Sequence, residues 1–192
     1  MSRILRLAVL ASLTLAPLVL ADETWLGSAE VKFKGYSTLH NFEGKVKDVP
    51  LKVTVAGEKG NRIVNATSNV PVKEMSTANN DRDRSMWDMF NEKQFKVIKV
   101  EVSNAQEKAL KPKGGNPGSM PITLSIASKR GSVIGAVTNV SETPTDVSFD
   151  LSFPVSLKSF GLEPPKAVGG LVRVRDTVDA TARIILKRSK GE

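Results

Sequence analysis

Apolar side chains recur at every second residue along most of this sequence, which is the pattern of β-strands with one buried face. The longest run extends from Val147 to Leu157, where valine, phenylalanine and leucine alternate with serine, aspartate and one proline. Shorter runs with the same period lie at residues 29–34, 51–55, 64–72, 98–102, 122–126 and 180–186. Because successive side chains of a strand point to opposite sides, each run predicts one buried and one solvated face.

Turn-forming residues separate these runs. Clusters of glycine and proline lie at residues 57–60, 114–118, 143–144 and 164–165. Many short strands at such spacing predict an all-β chain, folded as an antiparallel sandwich or barrel. Pro154 cannot donate a backbone hydrogen bond, so its end of the longest run is expected at an edge or a bulge.

One segment departs from the period of two. Between residues 79 and 93, two methionines, a tryptophan and a phenylalanine lie about one helical turn apart. This spacing predicts a short helical segment near residues 81–92, with Asn80 or Asp81 as its N-cap.

The N-terminus has the three-part pattern of a secretory signal peptide. Two arginines precede an apolar run from Leu7 to Leu20, and small side chains precede a cleavage position after Ala21. The sequence therefore predicts a signal peptide at residues 1–21 and one exported domain at residues 22–192. The chain has no cysteine, so packing without disulfides must hold the fold, which favours a periplasmic location.

The inventory of reactive side chains argues against most enzyme classes. His40 is the only histidine, and the chain has no cysteine nucleophile, so a nucleophilic triad lacks partners. One histidine does not anchor a zinc site, and no motif for a phosphate or cofactor is present. We therefore expect no enzyme activity, no cofactor and no metal. A third hypothesis, acid–base chemistry by Asp81 and Asp83, stays open because paired carboxylates work without histidine.

The basic charge of the chain is modest and dispersed. The formal net charge is +8, and aromatic residues make up only 5% of the sequence. Nucleic-acid binding would need basic residues clustered on one surface or interleaved with stacking aromatics, so we expect no such partner. Weak peripheral contact with an anionic membrane is compatible with this charge.

Several motifs, in this order, resemble the YceI-like family of exported bacterial proteins. They are the pattern SxLHxFxG at residues 37–44, the sequence RDRSM at 82–86, the strand and glycine at 122–131, and the closing segments at 151–186. The resemblance covers nearly all of the chain after the signal peptide. It implies an extended, lipocalin-like antiparallel β-barrel of about eight strands. Characterised members bind polyisoprenoid lipids, such as prenyl quinones or prenyl phosphates, in the barrel interior.

For a barrel of this kind we expect an apolar pocket and a polar mouth. The expected pocket residues are Phe33, Leu39, Phe42, Met86, Trp87, Phe90, Ile98, Phe149 and Phe153. The expected head-group contacts at the mouth are His40, Arg82 and Arg84. A polyisoprenoid or another long-chain lipid would then be the partner. The alternative is that the same apolar residues fill the core of a ligand-free barrel, which serves protein interaction or stress protection in the cell envelope.

Overall fold

A computed structural model describes residues 22–58, 60–167, 169 and 171–189 of the chain. The predicted signal peptide at residues 1–21 lies outside this part. All statements on the fold refer to the described residues.

Nine β-strands and two short α-helices make up the described part of the chain. The strands are β1 (Glu23–Ser37), β2 (Phe42–Ala56), β3 (Ile63–Pro71), β4 (Val97–Gln106), β5 (Gly118–Ile126), β6 (Lys129–Glu142), β7 (Asp146–Ser156), β8 (Lys166–Ala167) and β9 (Val172–Arg188). The helices are α1 (Asn80–Met89) and α2 (Glu107–Leu110), and single 3₁₀ turns lie at Val72–Glu74 and Lys158–Phe160.

Eight of the described strands close into one antiparallel barrel. Their order is β1-β2-β3-β4-β5-β6-β7-β9, and β9 pairs back onto β1. The closing pair extends from Trp25 opposite Arg188 to Ser37 opposite Val174. Strand β8 adds two residues beside the start of β9. The predicted all-β, lipocalin-like barrel of about eight strands is confirmed.

The apolar face of each barrel strand points into the barrel. Strand β5 shows this most regularly, because Met120, Ile122, Leu124 and Ile126 are buried and the residues between them are partly or fully exposed. Burying a side chain of this size contributes about 1.5–3 kcal/mol. The alternation in the sequence therefore becomes a continuous apolar interior.

The predicted edge position of Pro154 is confirmed, and Gly44 is a second position where the strand pairing restricts the residue type. Pairing of β6 with β7 ends at Ser152, so Pro154 lies where β7 is paired only with β9, and its missing N–H breaks no bond to β6. Gly44 lies opposite Phe33 on the neighbouring strand. A Cβ atom at Gly44 would lie only 2.1 Å from Cζ of Phe33, so the glycine leaves room for the aromatic ring.

Helix α2 completes the barrel wall where the pairing between β4 and β5 ends. Only three residue pairs join these strands, from Lys99–Ser125 to Glu101–Thr123. At the other end of β5, a Cβ atom at Gly118 would lie 2.0 Å from the carbonyl oxygen of Leu110. The helix therefore packs directly against the β5 backbone. The sequence analysis predicted no helix at residues 107–110, so α2 is an unpredicted element.

The close approach of Gly118 to α2 predicts a stability cost for any side chain at this position. In Gly118→Ala the new methyl group overlaps the Leu110 carbonyl, so α2 must move. We expect the free energy of unfolding to fall by about 1–3 kcal/mol, the usual cost of overpacking. Urea unfolding of Ser119→Ala, at the exposed neighbouring position, is the matched control. Equal unfolding midpoints for the two variants would contradict the packing of α2 on β5.

Candidate ligand-binding cavity

The barrel encloses a cavity of about 360 Å³. All eight barrel strands contribute to its lining, which is almost entirely apolar. Helix α1 borders it at one end of the barrel and α2 at the other. A volume of this size falls at the lower end of the range for sites that bury one organic molecule.

Small inward side chains create the space. Four alanines line the cavity from β1, β3 and β9: Ala29, Ala66, Ala180 and Ala182. The interior of an eight-stranded barrel is just wide enough to be filled by side chains or to hold one small ligand. Alanine at these inward positions leaves part of that width unfilled.

Most of the predicted apolar pocket residues line this cavity. Those that do are Phe33, Phe42, Met86, Phe90, Ile98, Phe149 and Phe153. They come from β1, β2, α1, β4 and β7, so the fold brings together residues far apart in the sequence. Their contact with a ligand stays a prediction.

Leu39 lies outside the cavity, and its predicted interior position is wrong. Its side chain is 70% exposed. The Ser37 hydroxyl donates to the carbonyl oxygen of His40 at 2.6 Å and accepts from the backbone N–H groups of Leu39 and His40. This serine-centred turn reverses the chain between β1 and β2 and leaves Leu39 at its outer side.

Trp87 is half-buried but is not among the residues that line the cavity. Its Nε1–H donates to the carbonyl oxygen of Met75 at 3.2 Å. The Lys73 ammonium lies 3.5 Å from the ring centroid, a favourable cation–π distance. Trp87 therefore fastens α1 to the preceding turn and packs against the core without lining the cavity.

Helix α1 closes one end of the barrel. The predicted helix near residues 81–92 is present, but its N-cap is Asn79, whose side chain accepts from the backbone N–H of Arg82 at 3.0 Å. Met86 and Phe90 are buried and face the cavity.

Asp83 ties this helix to the barrel. The residue is only 4% exposed, and its carboxylate accepts from the Thr77 N–H at 2.7 Å, the Thr77 hydroxyl at 2.6 Å and the Ser76 hydroxyl at 2.7 Å. Burial alone opposes ionisation, but these hydrogen bonds and the nearby Arg82 charge lower the pKa of Asp83 below its usual value. Ser76 also pairs through its backbone with Lys45 on β2, which links α1 to the wall.

The structure does not bring the two carboxylates of the acid–base hypothesis into one cleft. Asp81 is exposed and forms an ion pair with Arg84. Asp83 is buried among its hydroxyl and N–H donors. No group of three or more histidine, aspartate or glutamate side chains in the described ranges is arranged to hold a metal ion. None of the described helices has the length and apolar character needed to cross a membrane.

Arg82 is the predicted mouth residue that reaches the cavity. Its guanidinium carbon lies 4.9 Å from the ring centroid of Phe42, and its Nη2 lies 3.5 Å from Nε2 of His40. Within the described residues its guanidinium makes no ion pair, whereas Arg84 pairs with Asp81 and does not line the cavity. The structure thus brings His40 and Arg82 together at the mouth and leaves Arg84 outside.

The α2 end of the cavity is lined by charged residues that the sequence analysis missed. Lys111 pairs with Glu107 at 3.2 Å and with Glu142 at 2.9 Å, and Arg62 pairs with Glu107 at 3.6 Å. The hydrogen bond to Glu142 raises the pKa of Lys111. Each cation here is neutralised by a carboxylate. The four-residue spacing of Glu107 and Lys111 was the one available signal, because it favours a helix.

These features define the class of the protein as a lipocalin-like antiparallel β-barrel with an enclosed apolar cavity. The sequence model of the YceI-like domain matches residues 26–186. The chain therefore belongs to the YceI-like domain family, as the motifs predicted.

Solved structures show the same fold at low sequence identity. The crystal structure of Burkholderia cenocepacia BcnA has a TM-score of 0.60 at 18% identity, covering 82% of this chain and 95% of that one. A polyisoprenoid binding domain from Saccharophagus degradans, implicated in plant cell wall breakdown, has a TM-score of 0.61 at 13% identity, with 86% and 98% covered. The Campylobacter jejuni YceI protein has a TM-score of 0.53 at 15% identity, with 77% and 85% covered. None of the curated proteins matches this sequence.

The buried carboxylate of Asp83 predicts a pH-dependent contribution to stability. Its pKa is lower in the folded than in the unfolded chain, so its contribution is present above the unfolded pKa and is lost as the pH falls through the folded pKa. Asp83→Asn leaves a buried donor without its acceptor, and we expect a loss of about 1–3 kcal/mol at pH 7. The difference from wild type should shrink below about pH 4.

Urea unfolding at pH 7 and pH 3 measures this difference. Asp81→Asn is the matched control on the same helix, because Asp81 is exposed and its surface ion pair contributes little. A loss in Asp83→Asn that stays equal at both pH values would contradict the role of the ionised carboxylate.

Proposed function

We propose that this protein is a non-enzymatic, periplasmic carrier that holds one long-chain polyisoprenoid, such as a prenyl quinone or a prenyl phosphate, inside its barrel. The observation that carries the proposal is the apolar cavity inside the barrel, which the Arg82 cation lines at the mouth. The periplasmic location rests on the signal-peptide pattern at residues 1–21.

The cavity wall supplies the affinity in this proposal. Burying hydrocarbon contributes about 0.8 kcal/mol for each CH₂-sized group, whereas an exposed ion pair contributes about 0–1 kcal/mol. A chain of several isoprene units therefore gains more from the apolar lining than from any single surface charge. Phenylalanines from two strands supply much of that lining: Phe33 of β1, and Phe149 and Phe153 of β7.

Arg82 gives the bound lipid a direction. The cations at the α2 end, Arg62 and Lys111, already pair with carboxylates. Arg82 makes no ion pair in the described part of the chain and lies beside His40 and Phe42. A phosphate or carbonyl head group is therefore best placed at the α1 end, where a charge-assisted hydrogen bond to Arg82 is available.

The comparisons support the ligand class. The Saccharophagus degradans structure with the same fold is described as a polyisoprenoid binding domain, and this chain belongs to the YceI-like domain family. The alternative from the sequence, a ligand-free barrel for protein interaction or stress protection, expects an interior filled by its own side chains. The cavity favours the carrier.

Organic extraction of the purified protein, followed by mass spectrometry, tests the proposal. We expect a co-purified prenyl lipid, or stoichiometric uptake of an added prenyl quinone or prenyl diphosphate. Ala182→Phe directs a large ring into the cavity from β9 and should remove most of the bound lipid. Absence of any prenyl lipid together with no uptake of either added lipid would refute the carrier.

Two controls separate blockage of the cavity from unfolding. The melting temperature of Ala182→Phe should stay close to that of wild type, because the ring enters space that side chains do not fill. Ile134→Phe places the same ring on the outer surface of β6, where Ile134 is exposed, and should leave lipid uptake unchanged. Should Ala182→Phe not fold, Ala66→Leu on β3 replaces it.

The direction of the bound lipid predicts a head-group-specific effect of Arg82. Arg82→Gln should weaken binding of a prenyl diphosphate roughly tenfold or more, since a hydrogen bond to a charged group contributes about 1.5–3 kcal/mol. Binding of a neutral prenyl quinone should change much less. Arg84→Gln, two residues along the same helix, is the matched control and should change neither. Equal losses in Arg82→Gln and Arg84→Gln would contradict a head group at Arg82.

A further inference from the structure

The two most exposed large apolar side chains among the described residues belong to one end of the barrel. Leu39 is 70% exposed and Leu171 is 78% exposed. The Thr38 hydroxyl donates to the carbonyl oxygen of Leu171 at 3.1 Å, and the Thr38 N–H donates to the carbonyl oxygen of Arg173 at 3.0 Å. These bonds join the β1–β2 turn to the segment that begins β9. We call this surface the mouth rim: residues 38–41 and 171–175, with Lys166.

The mouth rim borders the cavity. Phe42, which directly follows the first segment of the rim, lines the cavity. Val174 in the second segment also lines it. His40 contacts Arg82, which also lines the cavity. A molecule that leaves the barrel at the α1 end therefore passes the two leucines.

The charge of the rim is positive. Lys166, Arg173 and Arg175 are exposed, and residues 166–175 include no acidic residue. The β1–β2 turn at residues 38–41 has none either.

The acidic residues next along β9 accept hydrogen bonds from hydroxyl groups outside the rim. Asp176 accepts from the Ser156 hydroxyl at 2.7 Å, and Asp179 accepts from the Tyr36 hydroxyl at 2.5 Å. Glu43 lies opposite Lys34 in the β1–β2 register. Residues 38–41 and 166–175, which include the segments of the rim, thus contain basic residues and no acidic ones.

We propose that the mouth rim docks on an anionic lipid bilayer, with Leu39 and Leu171 inserted at the interface and the basic side chains among the head groups. The cavity mouth then opens onto the membrane. The inference deepens the proposed function and rests on it, because a carrier of a water-insoluble lipid must receive that lipid from a bilayer.

The size of the rim favours a membrane over a protein partner. Two large apolar side chains are too few for a stable protein interface, which buries about 800 Å² on each partner. A few apolar residues beside basic ones are enough for reversible binding to an anionic bilayer surface. The basic side chains act only within a Debye length of about 8 Å at physiological salt, so the attraction should weaken as salt rises.

Co-sedimentation with lipid vesicles tests the docking. Protein expressed from the full 192-residue sequence, with its processed mass recorded, is mixed with phosphatidylglycerol vesicles or with phosphatidylcholine vesicles. We expect stronger binding to the anionic vesicles and a decrease with salt. Leu39→Ser combined with Leu171→Ser should weaken that binding about tenfold or more, as the burial of apolar area predicts.

Ile134→Ser is the matched control, since Ile134 is 62% exposed on the outer wall of β6 and lies outside the rim. Its vesicle binding should equal that of wild type. Equal binding of wild type to both kinds of vesicle, or unchanged binding of the double leucine variant, would overturn the docking. The docking would also be overturned if, without vesicles, wild type is a dimer and the double leucine variant is a monomer. The two leucines would then contact a second copy of the chain.

Prenyl-lipid uptake in solution keeps the two proposals distinguishable. The double leucine variant should take up an added prenyl quinone as wild type does, because Leu39 and Leu171 do not line the cavity. Vesicle binding without any uptake of prenyl lipid would refute the carrier and leave the docking intact. Uptake without preference for anionic vesicles would refute the docking alone.

Discussion

The antiparallel pairing of β1 with β9 is the constraint on which the rest of the structure depends. It joins the first and last strands of the barrel over nearly their whole length. In the closed barrel every inward side chain faces the same space, so the period-two pattern of the sequence decides what lines the cavity. An open sheet with the same strands would need a second layer to cover its apolar face.

The cations at the two ends of the barrel, which lie beside the apolar interior, have different partners. A charge that loses water needs a partner, because desolvation without compensation is costly. At the α2 end, Arg62 and Lys111 find carboxylates of the same chain. At the α1 end, Arg82 has an aromatic ring and a histidine as neighbours and makes no ion pair within the described residues. In the proposed carrier, this difference would give an amphiphilic ligand one favoured orientation.

The sequence predicted what depends on local periodicity and missed what depends on turns and distant partners. Phe33 and Phe149 were predicted inside because strand alternation determines their side. The interior position predicted for Leu39 was wrong because the hydrogen bonds of Ser37 determine the direction of the turn between β1 and β2. Trp87 follows Met86 by one residue, which is about 100° of helix rotation, and this rotation turns Trp87 away from the cavity that Met86 and its i+4 neighbour line. Two of the ion pairs at the α2 end, Arg62–Glu107 and Lys111–Glu142, join residues far apart in the chain, for which alternation carries no signal.

The chemistry of the lining decides what can occupy the space that the side chains leave. Water in a protein interior needs two to four polar partners, and the strand residues that line the centre of this cavity are nearly all apolar. A hydrocarbon chain needs none and gains dispersion contacts with every wall. Alanines such as Ala180 and Ala182 set the width, and aromatic side chains from β1 and β7 supply the contact surface. In the proposed carrier, an apolar ligand would therefore act as the missing part of the core, and its binding would be thermodynamically linked to the stability of the barrel.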